Sequence, residues 1–289
     1  MTEDAPGPRP IRRAGGEALP PLRIQAQALD HRAEGGPNHR LVLAVESGFS
    51  GFAPGQFVML SPGAVVAAER SDPLLPRPMA IYRVSAGASG GEELEILYKV
   101  SGRGTALLRE VRPGDRVRVV GPLGRGFPLP APGAPSALVG GGTGIASLYE
   151  LAARCAGRSP LAVLLGARSA ADLMGVDDFA ALGVELEVAT EDGSRGHRGV
   201  VTALLERRLE ASAGSGSVYA CGPTPMMQRA AEVADSRGVR CFVSLENHMA
   251  CGFGVCLGCA VPQREGGYGL VCREGPVFEA DRVDWTGLP

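Results

Sequence analysis

The chain has no apolar run approaching the roughly 18 residues of a membrane-spanning helix, so no transmembrane helix is expected. It has almost no net charge: 29 Lys and Arg against 31 Asp and Glu leave −2. That excludes the basic field needed to bind nucleic acid or anionic lipid. Aromatic residues are scarce at 5%, so the core is expected to consist mainly of Val, Leu, Ala and Ile. No internal repeat occurs, which argues against a repeat architecture. The stretch 1–21 lacks the apolar segment of a signal peptide and is rich in Pro, Gly and charge. It reads as a disordered tail on a cytoplasmic protein. The seven cysteines, an odd number without a secretion signal, argue against a disulfide framework.

What is abundant is turn chemistry, with 42 Gly and 23 Pro in 289 residues, a length that suits two or three domains. From 22 to 128 the pattern is β. Apolar and polar residues alternate over 23–29, 40–45, 93–100 and 115–120. Short strands punctuated by Gly and Pro predict a small antiparallel β-barrel. One short helix is expected over 104–110. A Pro/Ala/Gly linker over 128–135 follows. Over 129–241 the rhythm becomes strand and helix in alternation: strands at 136–140, 161–166, 184–189 and 217–222, helices at 145–156, 200–210 and 224–236. This predicts a parallel sheet covered by helices, an α/β domain whose ligands lie at the carboxyl ends of its strands. A small Cys- and Gly-rich domain is expected over 242–289.

Four of the cysteines, Cys251, Cys256, Cys259 and Cys272, have the spacing C-x4-C-x2-C-x12-C. Plant-type [2Fe–2S] sites use C-x4-C-x2-C and a more distant fourth Cys. Gly252, Gly254 and Gly258 allow the backbone to wrap an inorganic core, and Met249, Phe253, Val255 and Leu257 are expected to shield it from water. The alternative is a structural zinc site. Zinc sites usually pair C-x2–4-C knuckles; here Cys256-x2-Cys259 is such a knuckle, and the x4 spacing from Cys251 with its interleaved glycines is unusual for zinc. The other cysteines, Cys155, Cys221 and Cys241, read as buried small hydrophobes, with Cys221 set apart by its place at a strand end.

Several turns suit phosphate. Arg77 stands between Pro76 and Pro78, ahead of Met79 and Ala80, and can hold a pyrophosphate in fixed geometry. Leu97-Tyr98-Lys99 ends a strand, and Gly104-Thr105 opens a predicted helix. Taken singly, each also suits a solvated surface turn. Gly140-Gly141-Gly142-Thr143-Gly144 follows a buried strand and opens a helix, the setting of a nucleotide-binding turn. It is neither G-x-G-x-x-G/A, because Ser147 stands at the last small position, nor a P-loop. Cys221-Gly222-Pro223 ends a later strand of the same sheet, beside the first turn.

In this order these motifs resemble the ferredoxin–NADP reductase superfamily. The tail from Ser244 through Cys251, Cys256 and Cys259 to Cys272 and Phe278 is similar to the electron-transfer subunits of class 1B dihydroorotate dehydrogenase. The likeness spans about 22–278. It implies an FAD-binding barrel, an NAD-binding α/β domain and a [2Fe–2S] domain. FAD contacts would fall on Arg77, Pro78, Met79, Ala80, Leu97, Tyr98, Lys99, Gly104 and Thr105. NAD contacts would fall on Gly141, Gly142, Thr143, Gly144, Cys221, Gly222 and Pro223. The four cysteines would hold the cluster, and no residue of this chain is expected to be catalytic in the acid–base or nucleophilic sense. The implied partner is an FMN-containing catalytic subunit that oxidises dihydroorotate, two of each subunit together. Electrons would pass from that FMN through the cluster to FAD, and as hydride to NAD+.

Two positions depart from the family. Ala80 stands where Ser is usual, and Ala146-Ser147 where Pro is frequent. Relatives with the same parts serve NADH-dependent ferredoxin:NADP+ oxidoreductase or sulfide dehydrogenase. In the first of these an Asp commonly replaces the first cluster cysteine, so Cys251 favours the dihydroorotate reading. NADP remains the alternative nucleotide, since Arg168 and Ser169 follow the second strand where a 2′-phosphate would lie. A different class is a regulatory module with a zinc knob. A visible spectrum containing flavin and [2Fe–2S] bands is expected, and a colourless zinc protein would refute the enzyme reading.

Overall fold

The computed structural model describes residues 21–62, 75–88, 90–210 and 216–288. Except for Pro21, the expected tail lies outside the described residues. The first sheet contains β1 (Leu22–Gly35), β2 (Asn38–Val45), β3 (Phe57–Pro62), β4 (Arg77–Ala80), β5 (Arg83–Ala86), β6 (Glu92–Lys99) and β7 (Arg116–Leu123). Its order is β4-β3-β7-β1-β2-β6-β5, and every pairing is antiparallel. Ile81 and Tyr82 link the two edge strands. The Ile81 N–H donates to Gln56 O and the Tyr82 N–H to Glu95 O, each at 3.0 Å. This dipeptide therefore bonds to both halves of the sheet and curls it into the expected barrel. Helix α1 (Arg103–Arg109) interrupts the strands between β6 and β7.

Strand β6 shows how period-two alternation is used. Leu94, Ile96 and Tyr98 point into the barrel core with Leu41, Leu43 and Val119. Leu97, on the opposite face, joins a core shared with the second half of the chain. The alternation survives, but both faces are covered, so the strand is buried almost throughout.

The second sheet begins with β8 (Ser136–Gly141), β9 (Leu161–Ala167), β10 (Glu185–Thr190), β11 (His197–Arg198), β12 (Ser217–Cys221) and β13 (Arg240–Ser244). After a hairpin of β14 (Ala260–Pro262) and β15 (Tyr268–Leu270), β16 (Val277–Glu279) completes it. The order is β11-β10-β9-β8-β12-β13-β16. All pairs are parallel except β13 with β16. Helices α2 (Tyr149–Cys155), α3 (Val176–Ala181), α4 (Val201–Glu210) and α5 (Thr224–Asp235) cover its faces. Strand order reverses between β8 and β12, which opens a crevice at their carboxyl ends.

Two sequence expectations change. The helix expected over 145–156 begins as a 3-10 turn, Gly142–Leu148, and becomes α-helical only at Tyr149. A Cβ on Gly144 would lie 2.3 Å from the Cys221 carbonyl carbon. The chain is thus pressed onto the end of β12 where it winds tightest. The boundary expected at 241/242 falls inside β13, and β16 extends the same sheet from the C-terminal segment. That segment is built onto the sheet edge.

Six of the aromatics share one core where barrel and α/β domain meet. Tyr82 stacks on Tyr149 at 4.5 Å, and Tyr149 meets Phe179 edge-on at 5.3 Å. Phe127 meets Tyr219 edge-on at 5.7 Å. Beside them Arg40, 4% exposed, hydrogen-bonds Glu95 of the barrel at 2.7 Å and Asp178 of α3 at 2.5 Å. Glu34 is a third partner. The Tyr82 hydroxyl donates to Asp178 at 2.7 Å. A buried guanidinium held by three carboxylates is tolerable only because each of its edges is paired. Burial pushes the Asp178 carboxyl up, but the Arg40 and Tyr82 hydrogen bonds and the charge of Arg83 outweigh it and hold it below the usual carboxylate range.

Asp178 therefore stabilises the fold fully above the unfolded carboxylate value, and this is lost as pH falls through the lower folded value. Asp178→Asn should flatten the loss of stability below about pH 4. Asp178→Ala should cost about 1–3 kcal/mol at neutral pH. Urea unfolding across that range checks both. A variant with an unchanged midpoint and pH profile would show that the contact contributes nothing.

Candidate cofactor sites

A cavity of about 380 Å3 lies between the barrel and the sheet. Arg77, Pro78, Met79 and Ala80 of β4, Leu97, Tyr98 and Lys99 of β6, and Thr105 of α1 all line it. Gly104 stands behind: a Cβ there would lie 2.1 Å from Arg77 Nε, so the missing side chain is what lets the guanidinium lie across the start of α1. The Thr105 hydroxyl accepts from the N–H groups of Ser101 and Gly102 at 3.0 and 3.1 Å, which fixes this turn. Tyr98 is held from below. His31 Nδ1 donates to Val111 O at 2.7 Å, leaving Nε2 to accept the Tyr98 hydroxyl at 2.9 Å.

Sequence reasoning missed part of this wall. Ser244 at the end of β13, then Leu245 through Asn247 and Met249, close the cavity on the side of the cysteine loop. Ser147 also lines it, and the Cys221 thiol lies beside the Ser147 hydroxyl. The only signal was Ser147 itself, conspicuous in the sequence as a departure from a small residue.

A second cavity, of about 660 Å3, occupies the crevice where strand order reverses. Gly141, Gly142 and Thr143 line it from the turn after β8, and Gly222 and Pro223 from the turn after β12. Gly144 and Cys221 do not line it; both are packed behind its wall. Cys221 is fully buried, with its thiol 3.6 Å from Ser244 O. Burial pushes that thiol up to about 12, so it is no nucleophile near neutral pH. The barrel contributes Asn38 and Lys99 to this cavity.

The two cavities share Lys99, Thr143 and Glu246. Glu246 is open to the water of the cavities yet enclosed by protein elsewhere, and this desolvation pushes its carboxyl up. Ligands in the two cavities would meet at these three residues.

The cysteine loop follows directly. Cys259 Sγ lies 3.2 Å from Cys272 Sγ, both buried, and the Cys272 N–H points at Cys259 Sγ from 3.5 Å. Burial raises the Cys251 thiol, but N–H groups of Cys256, Phe253 and Val255 and the Cys256 side chain bring it down to about 7. The thiols thus stand as two pairs, Cys251 with Cys256 and Cys259 with Cys272. Among the described residues, no three His, Cys, Asp or Glu side chains converge on one point as a single metal ion needs. Two pairs with amides aimed at sulfur fit a binuclear iron–sulfur core better than one tetrahedral zinc.

Two expectations about this loop are corrected. Gly252 and Gly254 have φ of +83° and +87°, but Gly258 does not; Leu257 takes the left-handed turn at +60°. Phe253, Val255 and Leu257 are 49%, 74% and 61% exposed, so they form an apolar rim facing solvent. Only Met249 packs against the core.

A curled barrel, a parallel sheet with a nucleotide crevice and a four-thiol loop together define an oxidoreductase subunit of the ferredoxin-reductase-like fold. Residues 246–284 match the iron–sulfur cluster binding domain of dihydroorotate dehydrogenase B, and 138–232 the oxidoreductase NAD-binding domain. The electron transfer subunit of dihydroorotate dehydrogenase B (NAD(+)) from Bacillus caldolyticus is 44% identical over 236 residues, 80% of this chain and 86% of that protein. The subunit of the same name from Listeria monocytogenes is 35% identical, over 85% of this chain and 92% of that one. Among solved structures, the NADH-dependent reduced ferredoxin–NADP oxidoreductase matches with a TM-score of 0.76 and 29% identity, covering 94% of this chain and 92% of the other. The chain belongs to the family of dihydroorotate dehydrogenase B (NAD+) electron transfer subunits. It carries the iron–sulfur and nicotinamide domains of that family on the flavoprotein fold.

The wall between the crevice and β12 gives a direct test. Gly144→Ala places a methyl 2.3 Å from the Cys221 carbonyl oxygen, a backbone atom that cannot rotate away. The variant should lose about 1–3 kcal/mol of stability by overpacking. Thermal unfolding measures this, and a melting temperature equal to wild type would show that the turn relaxes freely.

Proposed function

We propose that this chain passes electrons from an FMN-containing dihydroorotate-oxidising subunit to NAD+, as part of a cytoplasmic assembly of two subunits of each kind in pyrimidine biosynthesis. The observation that carries the reading is the sharing of walls. The barrel cavity meets the crevice at Lys99, Thr143 and Glu246, and on its other side reaches Asn247 and Met249, close to Cys251. Bound there, an iron–sulfur centre supplies single-electron transfer, and a flavin joins it to the two-electron hydride chemistry of a nicotinamide.

The residues divide the work. Arg77, free to lie across Gly104, would hold the flavin pyrophosphate, while Pro78 to Ala80, Leu97 to Lys99 and Thr105 would line the flavin. Ala80 brings no hydroxyl, and Ser147 also lines this cavity. Gly141, Gly142 and Thr143 would take the nicotinamide diphosphate, with Gly222 and Pro223 beside the ring. Cys221 would act through packing, since its thiol is sealed behind the wall. Cys251, Cys256, Cys259 and Cys272 would hold the cluster. Cys251 also favours this reading over the ferredoxin:NADP+ relatives. The exposed rim of Phe253, Val255 and Leu257 supports a partner docking over the cluster loop, because apolar side chains at a rim gain by burial in a complex.

Reconstitution tests this. Mixed with an FMN-containing dihydroorotate dehydrogenase subunit, the chain should support NAD+ reduction by dihydroorotate. Failure to associate, together with activity towards ferredoxin and NADP+, would overturn the reading. Cys256→Ser should remove the cluster's visible absorption and bring dihydroorotate-driven NADH formation to background while FAD stays bound. Loss of FAD in the same variant would contradict independent folding of the barrel.

A further inference from the structure

One end of the crevice cavity carries a charge arrangement that the electron path does not use. It is formed by the loop after β9 and the loop after β10, and its charged side chains are Arg168, Asp172 and Glu191, with Lys99 of the barrel beside Asp172. The loops are tied together: the Glu191 N–H donates to Ala167 O and the Asp192 N–H to Arg168 O, each at 3.1 Å. Asp172 is fixed from three sides. Asn38 Nδ2, from the barrel and 1% exposed, donates to Asp172 O at 3.0 Å. The Ser169 hydroxyl donates to Asp172 Oδ2 at 2.9 Å. Lys99 Nζ stands 4.0 Å from Asp172 Oδ1.

In the sequence, Arg168 with Ser169 suggested a site for a 2′-phosphate. In the structure the Ser169 hydroxyl is committed to a carboxylate, and Arg168 shares its end of the cavity with two of them. A phosphate monoester carries about −1.5 to −2 charge at neutral pH and accepts hydrogen bonds, as carboxylates do. A ribose diol is neutral and donates two.

We propose that Asp172 and Glu191 select a nicotinamide dinucleotide with a free 2′-hydroxyl, accepting hydrogen bonds from the ribose diol and repelling a 2′-phosphate. Arg168 is offset by these carboxylates and serves the cofactor only as part of a balanced rim. The barrel takes part in the selection, because Asn38 and Lys99 hold Asp172 in place. The inference rests on the crevice being the nicotinamide site.

The test is isothermal titration of the cofactor-loaded chain with NAD+, NADP+ and the redox-inert fragment 2′,5′-ADP. Wild type should bind NAD+ well and the two 2′-phosphates weakly. Glu191→Gln, at an exposed position, and Asp172→Asn should each tighten NADP+ and 2′,5′-ADP about threefold, and the double variant about tenfold or more. Affinity for NAD+ should stay level or weaken. An unchanged NADP+ to NAD+ affinity ratio in the double variant, with NAD+ still bound, would overturn the selection and leave the crevice intact. A wild-type chain that fails to bind NAD+ would overturn the crevice assignment, and the selection with it.

Discussion

Two turns pressed together organise the molecule. The turn after β8 runs so close to the end of β12 that only a glycine fits at 144. This contact buries Cys221, and beside it Gly141 and Gly222 pack together in one wall of the crevice while Ser147 lines the barrel cavity. The 3-10 winding of Gly142–Leu148 is the local form of this constraint.

The same economy governs the join between barrel and sheet. A chain with few aromatics could have scattered them, yet Tyr82, Phe127, Tyr149, Phe179 and Tyr219 share one core at the junction. Arg40 lies beside them with three carboxylates from two domains. Aromatic area gives adhesion, and the paired charges set the register, since a buried guanidinium tolerates few alternative positions. The relative placement of barrel and sheet fixes both cavities, so this interface acts on each of them.

The cysteine loop shows where local reading stops. Its spacing identifies the chemistry because four thiolates on a tight loop have few uses. Which face the intervening apolar residues present depends on how the loop sits on the sheet edge. Phe253, Val255 and Leu257 face outward, while the loop's inner side lies at Gly252 against Met59 of β3 and Leu123 of β7, and at Gly254 against Arg273. Likewise, the left-handed turn before Cys259 falls on Leu257 and not on Gly258, one of the glycines expected to give the loop its freedom.

Taken alone, the sequence determined the succession of barrel, α/β sheet and cysteine loop, because strand alternation, buried apolar runs and Gly-rich turns are local signals. It also marked Arg77, the turn at 141–144 and the four cysteines, whose chemistry depends on residue type and spacing. It did not reveal β5, whose four-residue length carries no periodicity. Nor did it reveal the Arg40–Asp178 contact, whose partners lie 138 residues apart. Tertiary structure alone decided which marked residues reach a cavity, and it removed Gly104, Gly144 and Cys221 while adding Ser147, Glu246 and Asp172. The physical reason is that lining a cavity is a property of two surfaces meeting, and no segment of the chain contains both.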